Sequence, residues 1–221
     1  PPLSWDLVCD GEVRDGGDLR WPPEGLQNWP KDFRFELRYA PRLDPMLEDG
    51  RCDMRLTADP WPTVSIGEVT VRARERTFSL PGAPQLPIDA AVGDFGTLVG
   101  VDLSRDALQA GEPLTLTLYW RASKGVDQDY TVFVHLADTT GTVWAQSDAQ
   151  PAAGRAPTSS WIAGQVIVDR HHVTVPALAP PGTYTLWAGM YTPETGYRLP
   201  MIQEGARLPD DRVRLGDLSL R

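Results

Sequence analysis

The stretch PLTLTLYW, residues 113–120, decides how the chain is read. Leu114, Leu116, Leu118 and Trp120 alternate with Thr115, Thr117 and Tyr119. Side chains of a strand point alternately to its two faces, so this octapeptide has one wholly apolar face and one more polar face. The same alternation returns at YTVFVHLA (130–137), TVWAQSD (142–148), TYTLWAGMY (183–191) and RVRLGDLSL (212–220). Between these runs lie SKGVDQD, DTTG and APPG, which are turn and chain-reversal signals. Short alternating runs punctuated by turns at intervals of about 8–12 residues mark a sandwich or a barrel.

The composition agrees with that reading. The 221 residues suffice for one large β domain or two smaller ones. Hydrophobic residues make up 41% and charged residues 23%, the balance of a folded globular chain rather than a disordered one. The 21 prolines are roughly twice the usual share of about 5%. Proline interrupts helices and suits short strands joined by turns. The first third is more ragged: DFRFELRY (32–39), RCDMRLTA (51–58) and TVSIGEVTVRARERTF (63–78). After it comes LPGAPQLPID (80–89), with three prolines, which reads as a linker. The expected architecture is all-β, with two immunoglobulin-like or related antiparallel β-sandwich domains, residues 1–85 and 86–221.

A faint internal repeat supports two related domains. WPKDFRFEL at Trp29 resembles WIAGQVIVD at Trp161, DGRCDMRL matches PGTYTLWA, and SIGEVTV matches RLGDLSL. The competing reading is convergent spacing of β-turns; a true repeat makes the first domain a shortened version of the second.

Charge excludes whole classes of partner. The net charge of -9 opposes nucleic acid, whose phosphates demand a basic surface, and anionic membrane with it. No run approaches the roughly 18 apolar residues of a membrane span, so this segment is not expected to insert directly into a membrane. An acidic surface suits cations, neutral sugars or basic partners.

Few residues suggest chemistry. In QVIVDRHHVTV (165–175), Asp169 and His171 share one strand face, while Arg170 and His172 share the other. The two histidines therefore cannot reach one metal from a regular strand. No nucleophile elbow, phosphate loop or CxxC occurs, so no catalytic residue is assigned. A glycosidase-like or metal-assisted hydrolase would need Asp148, Asp169 and His171 or His135 to converge in one cleft. Asp10, Asp15 and Asp18, set among glycines in CDGEVRDGGDLR, form a candidate calcium loop; the competing reading is a solvated acidic loop. Calcium is the one cofactor this pattern suggests. Cys9 and Cys52 are a disulfide candidate, and a pair implies an oxidising compartment. The alternative is two buried free thiols. Trp21, Trp29, Trp61 and Trp161 lie beside prolines or turns. With Tyr191 and Tyr197 they are candidates for an exposed aromatic platform that binds ligand, unless they cap the sandwich instead.

One resemblance covers roughly residues 92–221. Tyr119–Trp120, Phe133–Leu136, Gln146–Asp148, Pro157–Trp161, Asp169, Pro181–Tyr184 and Gly189–Tyr191 resemble the C-terminal β-sandwich of bacterial glycosyltransferase 39-like (mannosyltransferase-like) membrane proteins. In that group the membrane part carries the catalytic acids and the sandwich lies outside the membrane. The resemblance implies a non-catalytic, extracytoplasmic module of a larger membrane-embedded parent, binding glycan or protein at the cell surface. The group's catalytic loop has no counterpart here. A purely structural spacer is the remaining alternative.

Overall fold

The computed structural model describes residues 3–19, 38–41 and 43–221. Trp21, Trp29 and the alternating Phe33, Phe35 and Leu37 lie outside them. The chain is nearly all β, as expected, and divides into Pro1–Glu75 and Arg76–Arg221.

The second unit is a two-sheet sandwich. Its strands are β5 (Leu86–Val92), β6 (Gly96–Leu103), β7 (Ala107–Leu108), β8 (Pro113–Ala122), β9 (Thr131–Asp138), β10 (Val143–Ala149), β11 (Val166–Thr174), β12 (Gly182–Tyr191), β13 (Met201–Gln203), β14 (Ala206–Arg207) and β15 (Val213–Leu220). One sheet has the order β10-β9-β12-β15-β7, the other β11-β8-β6-β5-β13-β14. Leu114, Leu116, Leu118 and Trp120 of β8 are wholly buried, as the alternation demands. They meet Val132, Val134 and Leu136 of β9 and Leu186, Ala188 and Met190 of β12 in one core. Each large apolar side chain so buried stabilises by roughly 1.5–3 kcal/mol over its exposed state. Asp138 closes the β9–β10 hairpin. Its carboxylate accepts from the Thr140 hydroxyl (2.6 Å), the Trp144 indole (2.8 Å) and the Thr140 and Thr142 amides, which hold its pKa at about 2.

The segment 80–89 is not a free linker. The division falls earlier, after Glu75, and Thr77 already bridges to Val166. Gln85 clamps onto β6: its amide donates to Asp102 and its side chain accepts from the Leu103 amide. Pro87 pairs with Gly100 just before a register shift, so the missing N–H falls where the ladder is already irregular.

The first unit contributes one described sheet, of order β2-β1-β3-β4, from β1 (Leu3–Cys9), β2 (Glu12–Leu19), β3 (Gly50–Ala58) and β4 (Trp61–Val71). Trp5, Leu7, Cys9, Leu19, Cys52 and Val71 are its buried cluster. Cys9 and Cys52 face each other across the β1–β3 ladder and are disulfide-bonded.

This sheet repeats four strands of the second unit. The order β2-β1-β3-β4 matches β10-β9-β12-β15. Gly50 pairs with Val71, Cys52 with Val69 and Met54 with Gly67. Correspondingly, Gly182 pairs with Leu220, Tyr184 with Leu218 and Leu186 with Gly216. Both ladders then shift register at the next residue, after Met54 and after Leu186. Gly67 and Gly216 hold φ of 147° and 155° at these bulges, a conformation that favours glycine. The matches of DGRCDMRL with PGTYTLWA and of SIGEVTV with RLGDLSL are thus the same two strands in the same register.

The disulfide closes a long loop around a small core. A cross-link at a sequence separation of 43 is worth about 4 kcal/mol in the chain-entropy model. Replacing both cysteines by serine is expected to lower the thermal unfolding of the first unit and leave the second unchanged. A calorimetric scan in which neither or both transitions move would contradict this.

Candidate functional site

The outer face of the β10-β9-β12 sheet carries a cleft of about 210 Å³ lined by Phe133, His135, Asp148, Tyr191, Gly196 and Arg198. Strand register assembles it. On β9, Phe133 and His135 alternate with the core residues Val132, Val134 and Leu136. Asp148 pairs with Phe133 and Gln146 with His135, so all four side chains share the outer face. Tyr191 lies at the end of β12, where it bridges to Arg198 on the returning chain.

Phe133 forms the floor. Its cross-strand partner is Gly189, and a Cβ there would approach the ring to 2.5 Å, so only glycine admits the ring at this depth. His135 packs against it at 4.8 Å between ring centroids and Tyr191 at 6.3 Å. The Arg198 guanidinium lies 4.7 Å above the ring centroid, within cation–π range. Beside the cleft, Arg212 stacks 4.3 Å over Trp187. Gln146 donates to Asp148 at 3.1 Å. Burial is the main cause that holds His135 below its ordinary value of 6.5; Asp148 opposes the shift, and Arg198 and Arg212 add to it. The imidazole is therefore neutral at neutral pH, able to donate from one nitrogen and accept at the other.

Asp169 and His171 stand elsewhere. Both are buried between the sheets. The Asp169 carboxylate accepts from Trp120 Nε1 (3.2 Å), the Ala152 amide (2.8 Å) and His171 Nε2 (3.0 Å). His171 Nδ1 lies 3.1 Å from Ser147 Oγ on β10. Solvent reaches neither Asp169 nor His171, which β11 of one sheet turns inward, whereas Asp148 and His135 stand on the outer face of the other sheet. The convergence a hydrolase would need is absent, because one register places Ser147 inward and Asp148 outward. His172 points away and meets Thr115 at 3.0 Å.

The other expected site residues disperse. Trp161 is fully buried, with its indole donating to the Ala156 carbonyl and its ring against Phe95, so it is core and not a binding face. Trp61 and Tyr197 are each 58% exposed, the first on β4 and the second beside the cleft. The acidic stretch expected as a calcium loop is mostly the strand β2. Asp10 sits in the preceding turn, Asp15 opposite Leu7 and Asp18 opposite Ser4, which puts the last two on opposite faces. Asp15 is occupied by the amides of Gly16 and Asp44. Among the described residues, no group of three or more His, Cys, Asp or Glu is arranged to hold a metal ion.

The first unit offers a control for the cleft. By the shared register, Ser4 stands at the place of Phe133, Asp6 at His135, Asp18 at Asp148 and Asp59 at Tyr191. The same sheet forms without the aromatic floor. The connection also differs. β3 and β4 are joined by a turn at residues 59–60, whereas residues 192–212 separate β12 from β15. That insertion supplies Gly196, Arg198 and Arg212, and it also carries β13, which pairs with β5.

No family model matches the chain, and no curated protein matches it. Among solved structures, it is similar to the C-terminal domain of Wzt, with TM-score 0.42 and 13% identity over 63% of this chain and 81% of that one. It is also similar to a CARDB domain from Pyrococcus furiosus solved with di-metal ions, with TM-score 0.34 and 13% identity over 60% and 93%. No functional assignment follows from likenesses this distant.

Two outcomes follow. Asp169→Ala leaves two buried donors and one half-buried amide without an acceptor and is expected to cost about 3–5 kcal/mol in urea denaturation. A loss under about 1 kcal/mol would show the network to be dispensable. His135 binds its proton less readily folded than unfolded, so the unfolded chain carries more protons as pH falls below 6.5. Stability is therefore full above that value and declines below it. The decline is expected to shrink in His135→Gln, measured as melting temperature against pH.

Proposed function

We propose that this chain is a non-catalytic binding module that takes a saccharide on the outer face of its second unit. The observation that carries the reading is the Phe133–His135–Asp148–Tyr191–Arg198 cleft, set against a sister sheet that folds without it. Fold requirements do not explain the aromatics or the inserted arginines, so selection for a ligand does. The chemistry suits a sugar: aromatic surface for the C–H faces, with a carboxylate, a guanidinium and a neutral imidazole for the hydroxyls. Burial of Asp169 and His171 weighs against hydrolysis, and the differentiated cleft weighs against a bare spacer.

The module belongs on the outer face of the membrane or in the cell envelope, appended to a glycosyltransferase-like membrane parent. The Cys9–Cys52 disulfide supports an oxidising compartment, and the sequence resemblance over residues 92–221 supports the parent.

The test is isothermal titration against a panel of neutral and acidic cell-envelope oligosaccharides. Saturable binding is expected for at least one, reduced tenfold or more by Tyr191→Ala or Asp148→Asn and unchanged by Trp61→Ala. Absence of binding across the panel, or binding indifferent to both cleft variants, would overturn the proposal.

A further inference from the structure

Arginines near the cleft are not equivalent. Arg207 grips Asp211 through two hydrogen bonds of 2.7 Å, Arg212 pairs with Asp210 at 3.1 Å, and Arg214 pairs with Asp217. Each is neutralised by a carboxylate a few residues away. Arg198 is the exception. Its Nη1 donates to the Asp210 carbonyl at 3.1 Å and its plane rests over Phe133, but it forms no ion pair with a carboxylate among the described residues. Asp211, the acid whose charge it feels, is already engaged on both oxygens by Arg207. A guanidinium has five N–H donors in a planar fork, so Arg198 keeps donors available for a bidentate acceptor.

This matters on a chain of net charge -9, where 30 acidic residues outnumber 21 basic ones. Local carboxylates are abundant, yet the arginine that lines the cleft forms no ion pair with one among the described residues. His135 adds no competing positive charge at neutral pH, because burial keeps it neutral. Asp148 lines the same cleft, pairs across the ladder with Phe133 and is itself exposed. It offers acceptors to hydroxyls and repels a second anion.

We infer that the cleft selects a sugar bearing a single carboxylate, a uronic acid class of ligand, with Arg198 clamping the carboxylate and Asp148 taking hydroxyls while excluding densely anionic glycans. This inference rests on the saccharide-binding reading and names the ligand class for that same cleft. Guanidinium–carboxylate pairing is bidentate and directional, so the neutral counterpart of the same sugar loses both hydrogen bonds and charge.

The experiment compares uronate oligosaccharides with their carboxyl-reduced counterparts, which share the skeleton and linkage, and with heparin. Titrations of the intact chain are run at low and at physiological salt. The uronate form is expected to bind at least tenfold tighter than its reduced form, with an advantage that falls as salt rises. Arg198→Gln is expected to bring uronate affinity down to that of the reduced sugar, and Arg198→Lys to restore part of it. Circular dichroism of both variants checks that the sheet persists. Heparin is expected to bind no better than the reduced sugar, and Asp148→Asn to relax that exclusion. Equal binding of the uronate and reduced forms would overturn this inference while leaving a saccharide module in place. Binding of neither form would remove both, and tight heparin binding would overturn the role given to Asp148.

Discussion

The second unit depends on one buried carboxylate. Asp169 lies between the sheets and accepts three hydrogen bonds, from a core tryptophan, a loop amide and a histidine. Through Ala152 it anchors a turn in which Ala152 and Ala153 both hold φ of 54°, an unfavourable conformation for residues with a Cβ. Through His171 and Ser147 it ties β11, at the end of one sheet, to β10, at the end of the other. A buried ionisable group is stabilising only when its partners are complete, and here they are. The cleft inherits that order, because Asp148 follows Ser147 directly and its outward aim depends on where β10 is held.

A sheet plan shared by the two units explains why the cleft stands out. Two sheets share strand order, register and even the position of a bulge, so their differences are informative in a way that a single domain never is. The cores are conserved in kind: Leu7 and Met54 pair in one, Leu136 and Leu186 in the other. The outer faces are not. One presents Ser4, Asp6 and Asp59, the other Phe133, His135 and Tyr191. Packing constraints act on inner faces and leave outer faces free to diverge, which is where recognition accumulates.

The strands were readable because alternation leaves a direct mark. Residues 113–120 and 130–137 fall within β8 and β9 or overlap them closely, and the face assignment of Leu114 through Trp120 holds residue for residue. The separation of His171 from His172 was readable for the same reason. What lay hidden needed register between distant strands. Nothing near Asp148 announces Phe133 or Arg198, and their meeting depends on a hairpin bulge and an inserted loop. Prolines concealed β5, since a turn signal and an irregular strand look alike in composition. The sequence left Trp161 open between an exposed platform and a cap, and a 3-10 turn at Thr158–Ser160 carries it inward to Phe95. The glycines of 11–17 suggested a cation loop because their φ freedom is visible, whereas the pairing of β2 with β1 is not.

The disulfide of the first unit has a consequence for damage rather than for folding. Cys9 ends β1 and Cys52 lies in β3, so the bond brackets every residue from Asp10 to Arg51. A protease that cuts once anywhere inside that bracket produces two peptides that stay covalently joined. One retains β1 and the other β3 and β4, still adjacent in the ladder. The nick changes neither the mass by more than one water nor the attachment of the second unit. Such a molecule would pass as intact until its disulfide was reduced, so in an oxidising environment the chain tolerates cleavage that would sever a version lacking the cross-link.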